Sequence, residues 1–152
     1  MPKIKFSIVT PERVVLSEEI DSLSCPTTSG EITILPNHIP LISSLANGEL
    51  TAKIAGEHEH YFVSGGFVEV RPGNEVIILA DSAEHVAEID EAAAKEAHKR
   101  AQEAMGNHKH RLSEQEYAQL TSSIEKNFMR LKLAGKHRGK ASIRAGILKH
   151  SK

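Results

Sequence analysis

Hydrophobic and polar residues alternate from the start of the chain. Ile4, Phe6 and Ile8 fall on one side of an extended segment, and Lys3, Lys5 and Ser7 on the other. A period of two is expected of a strand buried on one face. Ile20, Leu23 and Cys25 continue the alternation, imperfectly, among Glu18, Glu19, Asp21, Ser22 and Ser24. Six more short apolar stretches follow: EITIL, LISSL, LTAKI, HYFVSGG, FVEVRPG and EVIILAD, the last ending at Asp81. Between them lie turn residues: Thr10-Pro11-Glu12-Arg13, Thr28-Ser29-Gly30, Asn47-Gly48, Gly65-Gly66 and Pro72-Gly73-Asn74. Many short strands at close spacing predict an all-β sandwich for the first half. A single open sheet would leave one apolar face in water, so two packed layers are expected. The Ser64-Gly65-Gly66 step reads as a bulge or tight bend, where glycine supplies positive φ.

The period changes near Asp81. The stretch ADSAEHVAEIDEAAAKEAHKRAQEAMGN is rich in Ala, Glu and Lys, the strong helix formers. Asp90 can cap a helix and Gly106-Asn107 can end it. Ala93, Ala97, Ala101 and Ala104 recur at helical spacing, a narrow stripe that another helix could approach closely. After a polar loop, Ser113 and Glu116 have capping-box spacing. Tyr117, Leu120, Ile124, Phe128 and Leu131 then predict one apolar face of a second helix. So short a loop implies an antiparallel pair. The fold class is α+β: a β-sandwich over 1–87, a two-helix hairpin over 88–135 and a basic tail over 136–152. An isolated helix pair is marginally stable, so the hairpin is expected to dock on something.

One stretch breaks the strand pattern. In SGEITILPNHIPLI, Pro36 and Pro40 bracket Asn37-His38-Ile39. Proline fixes φ and lacks an N–H, so the chain cannot continue a sheet ladder there. The result is a stiff, partly apolar corner with a histidine at its tip, a shape suited to a docking contact.

Composition narrows the class. Of 152 residues, 39% are hydrophobic and 26% charged, which fits a globular chain. No run approaches the roughly 20 apolar residues of a membrane span, and the first residues lack a signal-peptide core. The single cysteine, Cys25, excludes an internal disulfide and reads as a buried structural thiol. Residues 1–87 carry five Lys/Arg against twelve Asp/Glu, and residues 88–152 fourteen against eight. An acidic front and a basic back point to two units with different partners. The tail holds six Lys/Arg and no acid. It reads as a solvated end or as an arm for an acidic protein surface. Nucleic acid fits poorly, because no aromatic residue interleaves the charges.

Chemistry is sparse. The nine histidines include His58 and His60, expected to be exposed on a strand, and His108 and His110 in the helix loop. No Cys or carboxylate cluster completes a metal-ligand spacing. VSGGF lacks the nucleophile elbow, and neither phosphate-binding glycine motif occurs. The chain reads as a binding or coupling protein with no catalytic residues, no metal and no cofactor.

SGEITILPNHIPLI, then FVSGGFVEVRPGNEVIILAD, then EIDEAAAKEA, in that order, resemble the epsilon subunit of bacterial and chloroplast F-type ATP synthases. The likeness covers roughly residues 3–134. The resemblance implies a ten-stranded sandwich followed by a helical hairpin, in a non-catalytic rotor subunit present once per complex. Its implied partners are the gamma subunit, the c-ring and the catalytic alpha and beta subunits. It implies coupling of proton flow to ATP synthesis, and a peripheral place on the cytoplasmic side of the bacterial plasma membrane. By the same resemblance, Glu31, Pro36, Asn37, His38 and Pro40 would face the c-ring and the foot of gamma. The extended hairpin would restrain ATP hydrolysis, with Arg111, Lys126, Arg130 and Lys132 facing the catalytic subunits. Some family members bind regulatory ATP on the folded hairpin. Ile89, Asp90 and Arg130 match that motif, but Ala93 and Lys126 stand where arginines are expected, and lysine does not replace a planar phosphate donor. Two other readings remain open: a free-standing binding module, separable by whether it co-purifies with gamma, and a metal-dependent sandwich enzyme, separable by metal analysis.

Overall fold

The alternation of Ile4, Phe6 and Ile8 is realised as burial: all three are enclosed while Lys3 and Lys5 are exposed. The computed structural model describes residues 2–107 and 112–137. It contains β1 (Ile4–Val9), β2 (Val14–Ile20), β3 (Ser22–Thr27), β4 (Gly30–Ile34), β5 (Leu41–Ser44), β6 (Gly48–Ile54), β7 (Glu57–Ser64), β8 (Phe67–Arg71), β9 (Glu75–Leu79) and β10 (Ser82–His85). A 3-10 turn at Val86–Glu88 precedes helices α1 (Glu91–Asn107) and α2 (Glu114–Lys136). The chain divides into two compact units, the first ending at His85 and the second beginning at Val86.

The first unit is the two-layer sandwich. One sheet has the order β2-β1-β9-β8-β5 and the other β10-β7-β6-β3-β4. All pairings are antiparallel except β1 with β9. The shared interior takes Ile4, Phe6 and Ile8 from β1, Val76 and Ile78 from β9, and Val68 and Val70 from β8. From the other sheet come Leu23 and Cys25, Ile34, Leu50 and Ala52, and Tyr61 and Val63. Each contributor is every second residue of its strand, as the pleat requires.

Three local expectations change. The imperfect alternation around Ile20 and Cys25 is two strands, β2 and β3, meeting at Asp21, whose carboxylate accepts from Lys3 Nζ and from the Gly56 N–H. Residues 82–85, helical by composition, are the tenth strand of the sandwich. Pairing with β7 supplies hydrogen bonds that local propensity does not anticipate. His60 is half-buried, with Nδ1 2.9 Å from Glu49 Oε1 and 3.1 Å from Thr51 Oγ1, so only His58 is the exposed strand histidine expected.

The second unit is the helical hairpin. Asp90 Oδ1 accepts from the Ala93 N–H at 3.0 Å and caps α1. The Ser113 hydroxyl accepts from the Glu116 N–H at 3.1 Å and caps α2. The helices pack on each other, and His98 Nδ1 donates across them to the Ile124 carbonyl at 3.3 Å. His98 and Ile124 lie at matching distances from the loop, as an antiparallel pair demands. Both expected faces hold in part: Ala101 is buried and Ala97, Ala104, Leu120, Ile124 and Leu131 are half-buried, but the remaining members differ. On α1 the buried alanines are Ala94 and Ala101, and Ala93 is exposed. On α2 Asn127, Leu133 and Ala134 are buried, whereas Tyr117 and Phe128 are more than half exposed. Asn127 is tolerated inside because Nδ2 donates to the Ser123 carbonyl and Oδ1 accepts from Arg130. Residues 138–152, most of the basic tail, lie outside the described residues.

Candidate functional site

The proline corner is a turn with a defined cause. The His38 N–H donates to the Leu35 carbonyl at 3.2 Å, and Asn37, between Pro36 and His38, has φ 68°. Proline at the second position and asparagine with positive φ at the third are the signature of a type II turn. The turn is fastened to the β8–β9 loop. The Asn37 N–H donates to Asn74 Oδ1 at 2.5 Å, and Asn74 Nδ2 donates back to Asn37 Oδ1 at 3.3 Å. The Asn74 carbonyl in turn accepts from the Lys5 N–H on β1. The His38 ring is held by its Nδ1, which donates to the Ile39 carbonyl at 2.7 Å. So rigid a corner nevertheless leaves Leu35, Ile39 and Ile42 at 57%, 74% and 70% exposure. Exposed apolar groups on an ordered backbone mark an interaction surface better than scattered ones do.

The corner joins β4, at the edge of one sheet, to β5, at the edge of the other. Glu31 is exposed on that same edge, but at the opposite end of β4, roughly 16 Å from Pro36 at strand rise. It follows the two-residue hairpin Thr28-Ser29, where the Ser29 N–H donates to Thr27 Oγ1. The Glu31 carboxylate and the corner are thus two points on one edge rather than one cluster.

A second surface adjoins this edge and is missed by the strand-by-strand reading. On the outer face of the first sheet, cross-strand pairing puts Val14 beside Val9, Val9 beside Leu79, and Leu79 beside Phe67. Val14, Leu79 and Phe67 are each more than half exposed. Phe67, Leu79, Val9, Pro11 and Gly66 line a shallow hollow of about 360 Å³. Ile42, on the outer face of β5 and paired with Glu69, carries the apolar surface toward the corner. The signal was present in EVIIL: Val76, Ile77, Ile78 and Leu79 are apolar on both faces, unlike a strand with one wet side.

The helical candidates are dispersed. Lys132 is exposed, Lys126 and Arg130 are half-buried, and Arg111 lies outside the described residues. Of the residues matching the nucleotide motif, Ile89 is buried, Asp90 uses Oδ1 in the α1 cap, and Arg130 Nη1 donates to Asn127.

The chain matches two consecutive family models: residues 3–86 match "ATP synthase, Delta/Epsilon chain, beta-sandwich domain", and residues 87–135 match its "long alpha-helix domain". The chain belongs to the ATP synthase delta/epsilon chain family. An ATP synthase epsilon chain of Dehalococcoides mccartyi is 47% identical over 138 residues, spanning 91% of this chain and 96% of that one. That of Herpetosiphon aurantiacus is 44% identical over 131 residues, spanning 86% and 93%. Among solved structures, a chain of the Euglena gracilis mitochondrial ATP synthase OSCP/F1/c-ring assembly shares the fold, with TM-score 0.72 and 24% identity over 90% of this chain and 84% of that one. Members of this family are non-catalytic subunits of the synthase, so the exposed surfaces, not a reaction centre, carry the function. No helix among the described residues is long and apolar enough to cross a membrane.

The family's sandwich encloses the lone thiol. Burial, and secondarily the Glu31 carboxylate, push Cys25 up to about 12. The thiolate is the reactive form, so the native protein should give no reaction with a thiol reagent at pH 8. One full equivalent should react in denaturant. Rapid labelling of folded protein would count against this core placement.

Proposed function

We propose that the chain is the rotor-side coupling subunit of a proton-translocating ATP synthase, with its helical hairpin as a brake on ATP hydrolysis. The observation that carries the rotor reading is the corner at 36–40, fixed through the Asn37–Asn74 pair and yet apolar on its exposed side. A joint that transmits torque needs a contact that does not yield. Glu31, Pro36, Asn37, His38 and Pro40 form the edge that meets the membrane ring. The outer-face row of Val14, Leu79 and Phe67 meets the gamma shaft. The complex places the subunit peripherally, on the cytoplasmic side of a bacterial plasma membrane.

The brake reading draws on the second unit. Its helices bury little, only Ala94, Ala101, Asn127, Leu133 and Ala134, and Tyr117 and Phe128 remain exposed on α2. Lys126, Arg130 and Lys132 offer cations to acidic catalytic subunits, and Arg111 is a fourth candidate by sequence. Each exposed pair is worth only ~0–1 kcal/mol, so restraint needs several together.

The test is ATP hydrolysis by an epsilon-depleted cognate catalytic core, titrated with the full chain and with a fragment of residues 1–87. The fragment retains the whole sandwich core, which draws only on residues before β10 ends. The full chain should bind and inhibit, and the fragment should bind without inhibiting. Full-length protein with Lys126, Arg130 and Lys132 all changed to Ala should bind like the wild type and inhibit at least tenfold less. Binding by neither chain would end the rotor reading. Equal inhibition by both would move the brake to the sandwich.

A further inference from the structure

Strand β10 is fastened in an unusual way. Its four residues, Ser82–His85, lie at the edge of their sheet and pair only with β7. Two of its side chains turn inward: Ala83, packed against the core, and His85, 4% exposed. His85 Nε2 lies 2.8 Å from Glu59 Oε2 on β7. Its ring meets Tyr61, the residue directly across, edge-on at 5.0 Å. Glu59 is 1% exposed, and its second oxygen, Oε1, has no hydrogen-bond partner among the described residues. The Ser82 hydroxyl at the start of the strand is likewise buried without a partner.

A carboxylate–imidazole pair inside an apolar sandwich is a costly fastener. Desolvation offsets most of the attraction, and an unsatisfied oxygen adds to the cost. An apolar residue at position 85 would hold the strand without that cost. The pair also makes attachment all-or-none. Once His85 withdraws, both groups require water, and Ala83 alone buries too little to keep four residues in place. His85 is the last residue of the sandwich unit and Val86 the first of the helical one. Releasing β10 therefore moves the start of the connection from Val86 back to Ser82, a gain of about 13 Å at strand rise.

We propose that the Glu59–His85 pair is a latch on the connection to the hairpin, and that β10 is a strap whose release gives the hairpin the reach to engage a partner. The clause on reach rests on the brake reading above.

Amide exchange by mass spectrometry on the full chain tests the latch. His85→Ala should speed exchange of the peptide over 82–85 at least tenfold and leave the β1 peptide unchanged. The apolar double variant Glu59→Leu/His85→Leu should slow the 82–85 peptide, because a hydrophobic pair holds the strap more firmly. Acceleration spread evenly over both peptides, or no difference at 82–85, overturns the latch. A cross-link tests the reach. Val63 and Ala83 are directly opposed, at a separation that suits a disulfide. Val63→Cys/Ala83→Cys should need at least tenfold more protein to inhibit the epsilon-depleted core when oxidised than when reduced. Equal inhibition in both states overturns the reach. No inhibition even by wild-type chain refutes the brake reading instead, and the exchange result then decides the latch alone.

Discussion

Gly66→Ala should destabilise the sandwich by about 3 kcal/mol or more. Gly66 has φ 100°, and a Cβ there would overlap the Leu79 carbonyl oxygen and crowd the Ala80 Cα. The obstruction is backbone, which cannot swing aside as a side chain can. The position is also pinned, because the Gly66 carbonyl accepts from the Leu45 N–H at 2.9 Å and Gly65 donates to Asn47 Oδ1 at 2.9 Å. This is where the chain passes from β7 in one sheet to β8 in the other, so the bend cannot relax without parting the layers. Gly73→Ala is the matched control. It too has positive φ, 84°, but nothing lies within 4 Å of the added carbon, so strain alone should cost ~1 kcal/mol. Urea unfolding followed by far-UV circular dichroism separates the two, with the Gly66 midpoint falling by about 1 M or more. Equal shifts for both variants would mean that the close approach is not what requires glycine at 66.

Phe67→Glu and Leu79→Glu should each weaken binding to the gamma-containing core at least 100-fold, about 2.7 kcal/mol. A carboxylate placed in a docked apolar surface loses its water without gaining a partner. The same two changes should alter the stability of the sandwich by less than about 1 kcal/mol, since both side chains are half exposed and lose mainly their cross-strand contact with each other. Lys53→Glu, on the other sheet and exposed, should leave binding intact. Calorimetric titration of the folded variants measures the binding, and urea unfolding measures the stability. Unchanged binding by Phe67→Glu and Leu79→Glu would remove the outer face of the first sheet from the interface and leave the β4–β5 edge as the remaining contact.

What the sequence by itself determined was whatever depends on neighbours a few residues away. Period two in IKFSI, the turn residues at 28–30 and 72–74, the Asp90 and Ser113 caps and the bend at Gly65-Gly66 all rest on local geometry, and each stands in the structure as expected. So did family membership, because the ordered motifs occur together. What only the tertiary structure decided depends on distant partners. Ser82–His85 is a strand because β7 offers it a ladder, against its local helical composition. The buried faces of α1 and α2 are set by how the helices meet, so that Ala94 replaces Ala93, Asn127 is enclosed, and Phe128 is left out. Glu31 and the corner share an edge because β4 runs along it, and the row from Val14 to Phe67 exists only because four strands from separate stretches are laid side by side. The pairing of Glu59 with His85 spans 26 residues. No periodicity reports such a contact, since it arises from strand order and register, which long-range packing alone selects.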